Sequence, residues 1–325
     1  MATIYKEVDI FLAQAKGEVD SKSPELAEAR GVMKDLSAKY IATKDKGIRT
    51  ELAEITTLVT NQILRGKTNY LESFADVART GINVKQQFEI EVDLTSAEWT
   101  AKGVAGDRGT LTKKYIGMDT KHITTRPSIS FMDLASNRIN FDRIALLSAE
   151  KMDQAITKEL ETVLFNAFSV LASPNYETAT GIDQALLKNQ INTFAEFGQV
   201  SLLGDISKLS LLDNISGWNA KLPEALALEH NANGFIGTFN TANVVKLVNP
   251  LLRNSLTTKL LRKDLLYILS GGDASQRGLK VQFEGDVYMR EQEDFNTGDY
   301  DLMMGQIVGA KVVGSELYMG VYRAQ

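Results

Sequence analysis

The hydrophobic positions of the first 84 residues recur at a helical spacing. Apolar side chains fall every three or four residues, as they do on one face of an α-helix. The second segment begins at Ser23-Pro24-Glu25, where a capping hydroxyl, a proline and an early acidic residue mark a helix start. The pattern predicts amphipathic helices that pack on each other or on a neighbouring subunit. Its apolar positions are Tyr5, Val8, Leu12 and Ala15; Val32, Met33, Leu36 and Tyr40; Leu52, Ile55, Leu58, Val59 and Ile63; and Leu71, Phe74, Val77 and Ala78, with glycines 17 and 81 closing the first and last segments.

From residue 85 the hydrophobic period changes from 3.6 to two. In QFEIEVDL, the apolar residues Phe88, Ile90, Val92 and Leu94 alternate with acidic residues, which predicts a half-buried strand. The following stretch, AKGVAGDRGTLTKKY, has three glycines among polar residues and little to bury. We therefore expect the projecting tip of a long hairpin, whose return arm covers residues 113–125.

A third pattern predicts one helix of roughly thirty residues, about 45 Å long at 1.5 Å per residue. Asn140 or Asp142 can cap it, and Ser173-Pro174 stops it. Its second half is apolar nearly all round, so we expect that end to be buried. The apolar stripe comprises Ala145, Ala149, Met152, Ile156, Leu160, Val163, Ala167 and Leu171. The residues expected to face away are Glu150, Lys151, Asp153, Gln154 and Lys158.

After residue 175 the pattern becomes mixed. It predicts a helix over 186–197, a strand in VSLLGD, a helix in LPEALALEH, and two strands around the turn Asn240-Thr241-Ala242. DLLYILSGG is typical of a strand that ends in glycines. Period two returns in LKVQFEGDVYMRE and again at Leu317, Met319 and Val321. The order is therefore helices, hairpin, long helix, α/β insert and sheet, with no internal repeat.

The composition is that of a globular protein. The chain has 325 residues, of which 44% are hydrophobic and 24% charged, and no stretch approaches the ~20 apolar residues that span a bilayer. It contains no cysteine, so it has no disulfide or thiolate metal site, which fits a reducing cytoplasm. The net charge is −5, and Lys and Arg are dispersed. This balance disfavours tight nucleic-acid binding but allows a wall that encloses DNA.

The motifs that could carry chemistry are all incomplete. RGKTN at residues 65–69 contains the Gly-Lys-Thr of a phosphate loop, but Asn61 stands where the required glycine belongs. Gly103, Gly106 and Gly109 lack the dinucleotide-binding spacing. The two histidines, His122 and His230, belong to no metal-binding pair.

The acidic stretch 294–301 lacks the closing glutamate of a calcium loop, and the chain has no G-x-S-x-G nucleophile elbow. We therefore predict no catalytic, cofactor-binding or metal site. An enzyme built from unmarked Asp, Lys and Tyr residues remains an alternative.

The order of elements resembles that of the major capsid proteins of tailed bacteriophages, whose Hong Kong 97-type shell fold also occurs in encapsulins. The resemblance covers roughly residues 85–325. It rests on the glycine-tipped hairpin, on the passage through KHITTRPSISFMDLASNRI into one long helix, and on three later segments. These segments are GFIGTFNTANVVKLVNPLL, DLLYILSGG and ELYMGVYRAQ.

The resemblance implies an α+β fold in five parts. Residues 1–84 would form a helical N-terminal arm, and 85–126 an extended β-hairpin that reaches over a neighbouring subunit. Residues 127–178 would form a peripheral domain around the long spine helix, and 179–274 an α/β axial domain that meets its copies at the capsomer centre. Residues 275–325 would supply the return strands of the peripheral domain.

Two properties of relatives bear on this chain. Related capsid proteins often lose an N-terminal scaffolding segment to a protease, whereas we expect these helices to stay attached as an enlarged arm. Some relatives form Lys–Asn cross-links between subunits. Lys102, Lys113 and Lys114 lie near the hairpin tip, but nothing marks one of them as reactive, so no cross-link is expected from the sequence.

The resemblance implies a major capsid protein that self-assembles through pentamers and hexamers into an icosahedral shell around double-stranded DNA of a tailed phage or prophage. Its partners would be its own copies, a portal protein, and scaffolding or decoration proteins. It would bind no membrane, enclose DNA without sequence-specific contacts, assemble in the bacterial cytoplasm and end in the virion capsid. The alternatives are an encapsulin-like compartment for cargo enzymes, a soluble enzyme or another phage structural protein.

Overall fold

The computed structural model describes most of the chain, and its elements are numbered here within those residues. The described residues are 2–16, 18–20, 23–92, 112–129, 133, 136, 138, 141–212, 237–247, 249–252, 255–271, 277–293, 300–313 and 319–325. The helices are α1 (Ala2–Ala15), α2 (Pro24–Thr43), α3 (Lys46–Thr68), α4 (Phe141–Phe168), α5 (Gln184–Ala195) and α6 (Ile206–Leu209). The strands are β1 (Asp76–Thr80), β2 (Gln87–Val92), β3 (Thr112–Gly117), β4 (Lys121–Thr125), β5 (Ser128–Ile129), β6 (Tyr176–Ala179), β7 (Val200–Gly204), β8 (Thr238–Phe239), β9 (Ala242–Lys246), β10 (Leu265–Ser270), β11 (Leu279–Glu293), β12 (Tyr300–Val312) and β13 (Met319–Ala324).

The predicted start of the second helix is confirmed. The Oγ of Ser23 accepts a hydrogen bond from the backbone N–H of Leu26 at 3.2 Å, and Pro24 is the first residue of α2. Asp45 caps α3 in the same way, accepting from the N–H of Gly47 at 2.8 Å. These caps satisfy backbone donors that have no partner inside the helix.

The arm helices bury their apolar faces inside their own subunit. Residues of α1, α2 and α3 share one core cluster with α4 and with the strands β11 and β12. Among the predicted stripe residues, Met33 and Tyr40 of α2 are buried, whereas Leu58 of α3 is 40% exposed. Of the two expected partners, the subunit's own core is the one these helices use.

The helix predicted over residues 71–78 is wrong. A short 3-10 helix, Asn69–Ser73, is followed by the strand β1, which pairs in parallel with β11. The carboxylate of Asp76 forms an ion pair at 2.8 Å with Lys280, whose side chain is only 3% exposed. Backbone pairing with β11 and the need to neutralise this buried lysine outweigh the helical spacing.

One sheet has the strand order β1-β11-β12-β4, with β5 pairing further along β12. As predicted, alternate residues of β11 face the core: Leu279, Val281 and Phe283 are at most 2% exposed. The intervening residues Lys280, Gln282 and Glu284 are buried as well. The other face of the sheet is therefore covered too, and its polar groups pair within the protein, as in the hydrogen bond of Gln282 Nε2 to the carbonyl of Val84 at 2.8 Å.

The predicted return arm of the hairpin is two strands instead of one. β3 pairs with β2, whereas β4 crosses to β12 in the large sheet. The break falls at residues 118–120, where the side chain of Met118 is buried and Thr120 donates a hydrogen bond to Glu284 at 3.0 Å. Residues 93–111, including the predicted tip, lie outside the described part.

The predicted long helix is confirmed as α4, with 28 residues. Its stripe is buried from Ala145 to Leu160 but then continues through Leu164 and Phe168 instead of the predicted Val163 and Ala167. Steps of four keep these residues in the core that also contains β10 and β13. The helix ends five residues before Ser173.

The expectation of a fully buried end is wrong, and of the two possible caps Asp142 is excluded. Its end is not buried all round, because Val170 is 81% exposed just beyond it. Asp142 lies inside the first turn instead of capping it, and Arg30 of α2 holds it with two hydrogen bonds of 2.7 and 3.3 Å. Asn140 is outside the described residues. Asp153, expected to face away, is half-buried.

The second sheet has the order β6-β13-β10-β7-β9-β8 and is covered by α5 through Leu187, Ile191 and Phe194. The predicted turn is confirmed: Asn240 and Thr241 have φ values of 45° and 72°, and they join β8 to β9. The closing strand β13 pairs with β10 and with β6. The limits of the five parts stay a prediction, as does the helix in LPEALALEH, which lies outside the described residues.

Candidate functional site

The incomplete motifs of the sequence build no catalytic site in the described part of the chain. Residues 65–68 form the last turn of α3, and Thr68 Oγ1 donates to the carbonyl of Leu64 at 2.9 Å instead of facing a phosphate loop. His122 lies on β4 with Nδ1 3.1 Å from the hydroxyl of Tyr288. Among the described residues, no group of three or more His, Cys, Asp or Glu side chains could hold a metal ion. The glycines 103–109, His230 and residues 294–299 lie outside that part.

No helix in the described ranges combines the length and apolarity needed to cross a membrane. Surfaces that expose apolar side chains, or that leave a structural element without a covering layer, are candidates for interaction. Within the described residues we consider the hairpin, a groove beside α4 and a loop after β9.

The hairpin of β2 and β3 forms a separate two-stranded sheet. Its register runs from Gln87 opposite Gly117 to Val92 opposite Thr112. The base is anchored by Phe88, which is 4% exposed and lies 5.8 Å from the ammonium of Lys280. Further along, Tyr115 is 56% exposed. Because an isolated two-stranded hairpin is only marginally stable, this element needs a further surface to cover it.

A groove of about 510 Å³ separates α4 from β4 and β12. Ile156 and Leu160 of α4 and Val308 of β12 give it an apolar lining. Lys121 on β4 reaches Glu159 on α4 at 2.6 Å, and hydrogen bonding to this carboxylate raises the pKa of Lys121. Since β4 pairs with residues 304–308 of β12 and β5 with residues 300 and 301, the described strands leave this edge of β12 free at residues 309–312.

The loop after β9 presents three leucines to solvent. Leu251, Leu252 and Leu256 are 49%, 42% and 92% exposed. The loop is attached to the domain by Lys259, which donates hydrogen bonds to the buried Asp205 at 2.7 and 2.8 Å. A loop that exposes large apolar side chains is a candidate interaction surface.

The carboxylate of Asp205 is held in its charged form. Burial alone would raise its pKa, but hydrogen bonds from Lys259, from Ser207 and from Asn249 lower it below the ordinary value. Asn249 also donates to the carbonyl of Leu261 at 3.1 Å, so this network fixes both ends of the leucine loop.

The spine helix holds the two sheets in a fixed relation. Glu161 of α4 is 7% exposed and accepts a hydrogen bond from the hydroxyl of Tyr267 on β10 at 3.2 Å. Burial, together with the charge of Glu161, raises the pKa of Tyr267. Arg262 lies 3.6 Å above the ring of Phe165 and 3.8 Å from Glu161. Polar and cation–π contacts therefore join the spine helix to β10 of the second sheet and to Arg262.

Of these surfaces, the sequence predicted only the hairpin. The leucine loop had a local signal, since Leu251-Leu252 follows Asn249-Pro250 in a polar context. The groove had none, because its walls come from residues 117–123, 155–163 and 308–311. Only the folded chain brings these segments together.

The solved structures similar to this chain include two capsids and a phage. The capsid of an empty GTA particle matches with a TM-score of 0.53 and 12% identity, over 79% of this chain and 90% of that chain. Gordonia phage Cozz matches with a TM-score of 0.53 and 12% identity, over 78% of this chain and 86% of that chain. The capsid of cyanophage P-SCSP1u matches with a TM-score of 0.50 and 11% identity, over 77% of this chain and 86% of that chain. At these identities the similarity establishes the fold.

The sequence itself identifies the family. No curated protein matches the chain. A family model described as "SPbeta prophage-derived putative capsid protein YonB" matches residues 3–322, which is nearly the whole length. The chain therefore belongs to the SPbeta prophage-derived capsid protein YonB family and has the Hong Kong 97-type shell fold.

Proposed function

We propose that the shell formed by this major capsid protein is icosahedral and encloses the double-stranded DNA of a tailed phage or prophage. Pentamers and hexamers of the chain build it, in the bacterial cytoplasm and together with a portal protein and scaffolding or decoration proteins. The role is structural and not enzymatic. Family membership over residues 3–322 and the shell fold support this proposal.

The single observation that carries the assembly step is the separate hairpin. Only its base is shown buried, at Phe88, while Tyr115 is 56% exposed. The two larger sheets share one core cluster, and the other face of the second sheet packs in another cluster, but the hairpin pairs with neither sheet. A neighbouring copy supplies the missing surface. Contacts of this kind commonly bury ~2,000 Å² or more in permanent assemblies.

The charge distribution supports enclosure of DNA without tight binding. The chain has 36 basic and 41 acidic residues, giving a net charge of −5. Tight DNA binding is driven by phosphate contacts to clustered Lys and Arg. A wall without such clusters lets packaged DNA move along it.

Sedimentation and electron microscopy of the purified protein test the proposal. We expect megadalton shells, or capsomers of five or six copies under dissociating conditions. A protein that stays monomeric at all attainable concentrations would contradict the shell function. Nuclease-protected double-stranded DNA inside particles from infected or induced cells supports the phage function, whereas particles filled with a cargo enzyme would contradict it.

The hairpin itself is tested by deleting residues 103–109. We expect the subunit to remain folded, with an unchanged melting temperature, but to assemble poorly. The control replaces the same residues with a glycine-serine linker of equal length, which separates the need for length from the need for these side chains. Normal shells from the deletion variant would remove the bridging role of the hairpin.

A further inference from the structure

A second cavity, of about 200 Å³, lies where the N-terminal arm meets the large sheet. Its walls come from α3, from β1 and from the irregularity in β11 at residues 284–288, where the register with β12 shifts. The charged and amide side chains that line the cavity and are used below are Asn61 and Arg65 from α3, Arg79 from β1 and Asp286 from β11. None of the incomplete sequence motifs accounts for this grouping.

Arg79 is held in place without an acidic partner. Its guanidinium carbon lies 4.6 Å from the ring centre of Phe283, and one nitrogen donates to Thr68 Oγ1 at 3.1 Å. Among the described residues, no carboxylate forms an ion pair with it. A guanidinium has five N–H donors, so most of its donor capacity remains for another group.

A second arginine increases the positive charge of the cavity. Arg65 lies in the same wall and pairs with Asp286 at 2.7 Å. Glu72 and Asp286 act on Arg79 through their charges, but among the described residues only Arg65 has a carboxylate of this cavity within ion-pair distance. Partial burial and the charge of Arg65 lower the pKa of Arg79, while the charges of Glu72 and Asp286 oppose this shift.

We propose that this cavity binds a tetrahedral oxoanion of the phosphate type, held by the guanidinium groups of Arg79 and Arg65. Planar guanidinium donors match the oxygens of phosphate in pairs. The side-chain oxygen of Asn61 accepts from the backbone N–H of Val287 at 3.4 Å, which leaves its amide donors for the ligand.

The size of the cavity fits one such ion. A volume of about 200 Å³ corresponds to roughly six or seven water molecules at ~30 Å³ each, enough for a single phosphate with some of its water. The ion would neutralise Arg79 and connect α3 with β1. Binding therefore stabilises the docking of the N-terminal arm on the sheet.

Thermal unfolding and calorimetry on the dissociated subunit test the proposal, with millimolar sodium phosphate compared against sodium chloride at equal ionic strength. Phosphate also stabilises proteins in general by exclusion from their surface. The decisive quantity is therefore the difference between variants. We expect saturable phosphate binding by the unmodified chain. The affinity of Arg79→Gln for phosphate should be lower by roughly tenfold or more, since a charge-assisted hydrogen-bonding group is lost.

Arg143→Gln is the matched control. Arg143 is exposed on α4, so its substitution removes the same charge at a position away from the cavity. It should bind phosphate as the unmodified chain does. Equal affinity in Arg79→Gln and Arg143→Gln would overturn the proposal, because the binding would then be diffuse.

Asp286→Asn provides a test that does not depend on removing an arginine. The side chain is 63% exposed, so the variant should fold normally. It removes the competing carboxylate, and we expect roughly two- to fivefold tighter phosphate binding, the effect of one nearby surface charge. Unchanged affinity would count against the site.

A short DNA oligonucleotide identifies the source of the phosphate. We expect free phosphate to give the Arg79-dependent effect at concentrations where the oligonucleotide does not, because the cavity admits a single small group. An Arg79-dependent effect from the oligonucleotide alone would overturn the proposal in favour of a nucleic-acid backbone contact.

Discussion

Replacing Asp153 with asparagine should stabilise the subunit at neutral pH. Asp153 lies on α4, and its Oδ1 is buried without a hydrogen-bond partner among the described residues. Burial raises its pKa from 3.8 to about 6, the nearby charge of Glu150 adds to the rise, and Lys67 opposes it. The folded protein therefore carries a carboxylate that it holds better in the protonated form.

The sign and size follow from the two pKa values. Below about 4 the carboxyl is protonated in both folded and unfolded states, so no penalty exists. As the pH rises from 3.8 to 6, the unfolded chain loses its proton first and the folded state becomes less stable; above 6 the penalty is constant. The full difference corresponds to about 3 kcal/mol. Because the side chain keeps part of its surface in water, we expect roughly 1–3 kcal/mol.

Denaturant unfolding of the dissociated subunit at pH 4.0 and pH 7.5 measures this effect, and both values lie away from the pI near 5.3. Asp153→Asn should raise the free energy of unfolding at pH 7.5, and most of that gain should be absent at pH 4.0. Tyr70, whose pKa burial raises to about 12, stays neutral across this range. Asp35→Asn on the exposed side of α2 is the matched control, with an expected change within about 0.5 kcal/mol. A gain that is equal at both pH values, or no gain at pH 7.5, would refute the reasoning.

Three further perturbations should destabilise the subunit. Ile156→Asp places a charge at a position only 1% exposed in the α4 stripe, so we expect a loss of about 4 kcal/mol or more and little soluble protein. Asp205→Ala leaves Lys259 without its buried partner and should cost about 3–5 kcal/mol in denaturant unfolding. Deleting residues 1–44 removes α1 and α2 from the core cluster and exposes the face of α3 that they cover, so the product should aggregate, as light scattering would show.

The two substitutions each have a control, and all three perturbations have a contrary outcome. Ile156→Val should cost only about 1 kcal/mol, and normal melting of Ile156→Asp would mean that the buried face is misplaced. Asp264→Ala breaks a more exposed pair with Arg323 and should cost at most about 1 kcal/mol; a loss equal to that of Asp205→Ala would contradict the role of burial. A stable, monodisperse product of the truncation would show that α1 and α2 are dispensable for the subunit core.

Local patterns sufficed where an element depends on its own residues. The Ser23 cap, the alternation of β11 and the turn at Asn240-Thr241 were all predictable, because side-chain oxygens near backbone N–H groups, period-two burial and left-handed backbone are properties of short segments. The pairing of β2 with β3 was predictable for the same reason, whereas the crossing of β4 to β12 was not.

The errors arose where distant residues decide the structure. β1 looked helical, but Asp76 meets Lys280, which lies 204 positions further along the chain. No local period contains that information. The same holds for the arginine cavity, since Arg79 is stacked on Phe283 and shares its walls with α3. The sequence could show each arginine but not that the fold places the two together.

The structure also changes which elements are available for assembly. The amphipathic N-terminal helices could have been covered by a neighbouring subunit, but they are fastened within their own: Arg30 of α2 pairs with Asp142, and the hydroxyl of Tyr70 lies 3.1 Å from Thr157 Oγ1 on α4. An arm that is part of the subunit core cannot be released without exposing that core. Among the described residues, we therefore expect the subunit contacts to come from the elements that the core leaves uncovered, above all the β2–β3 hairpin and the leucine loop after β9.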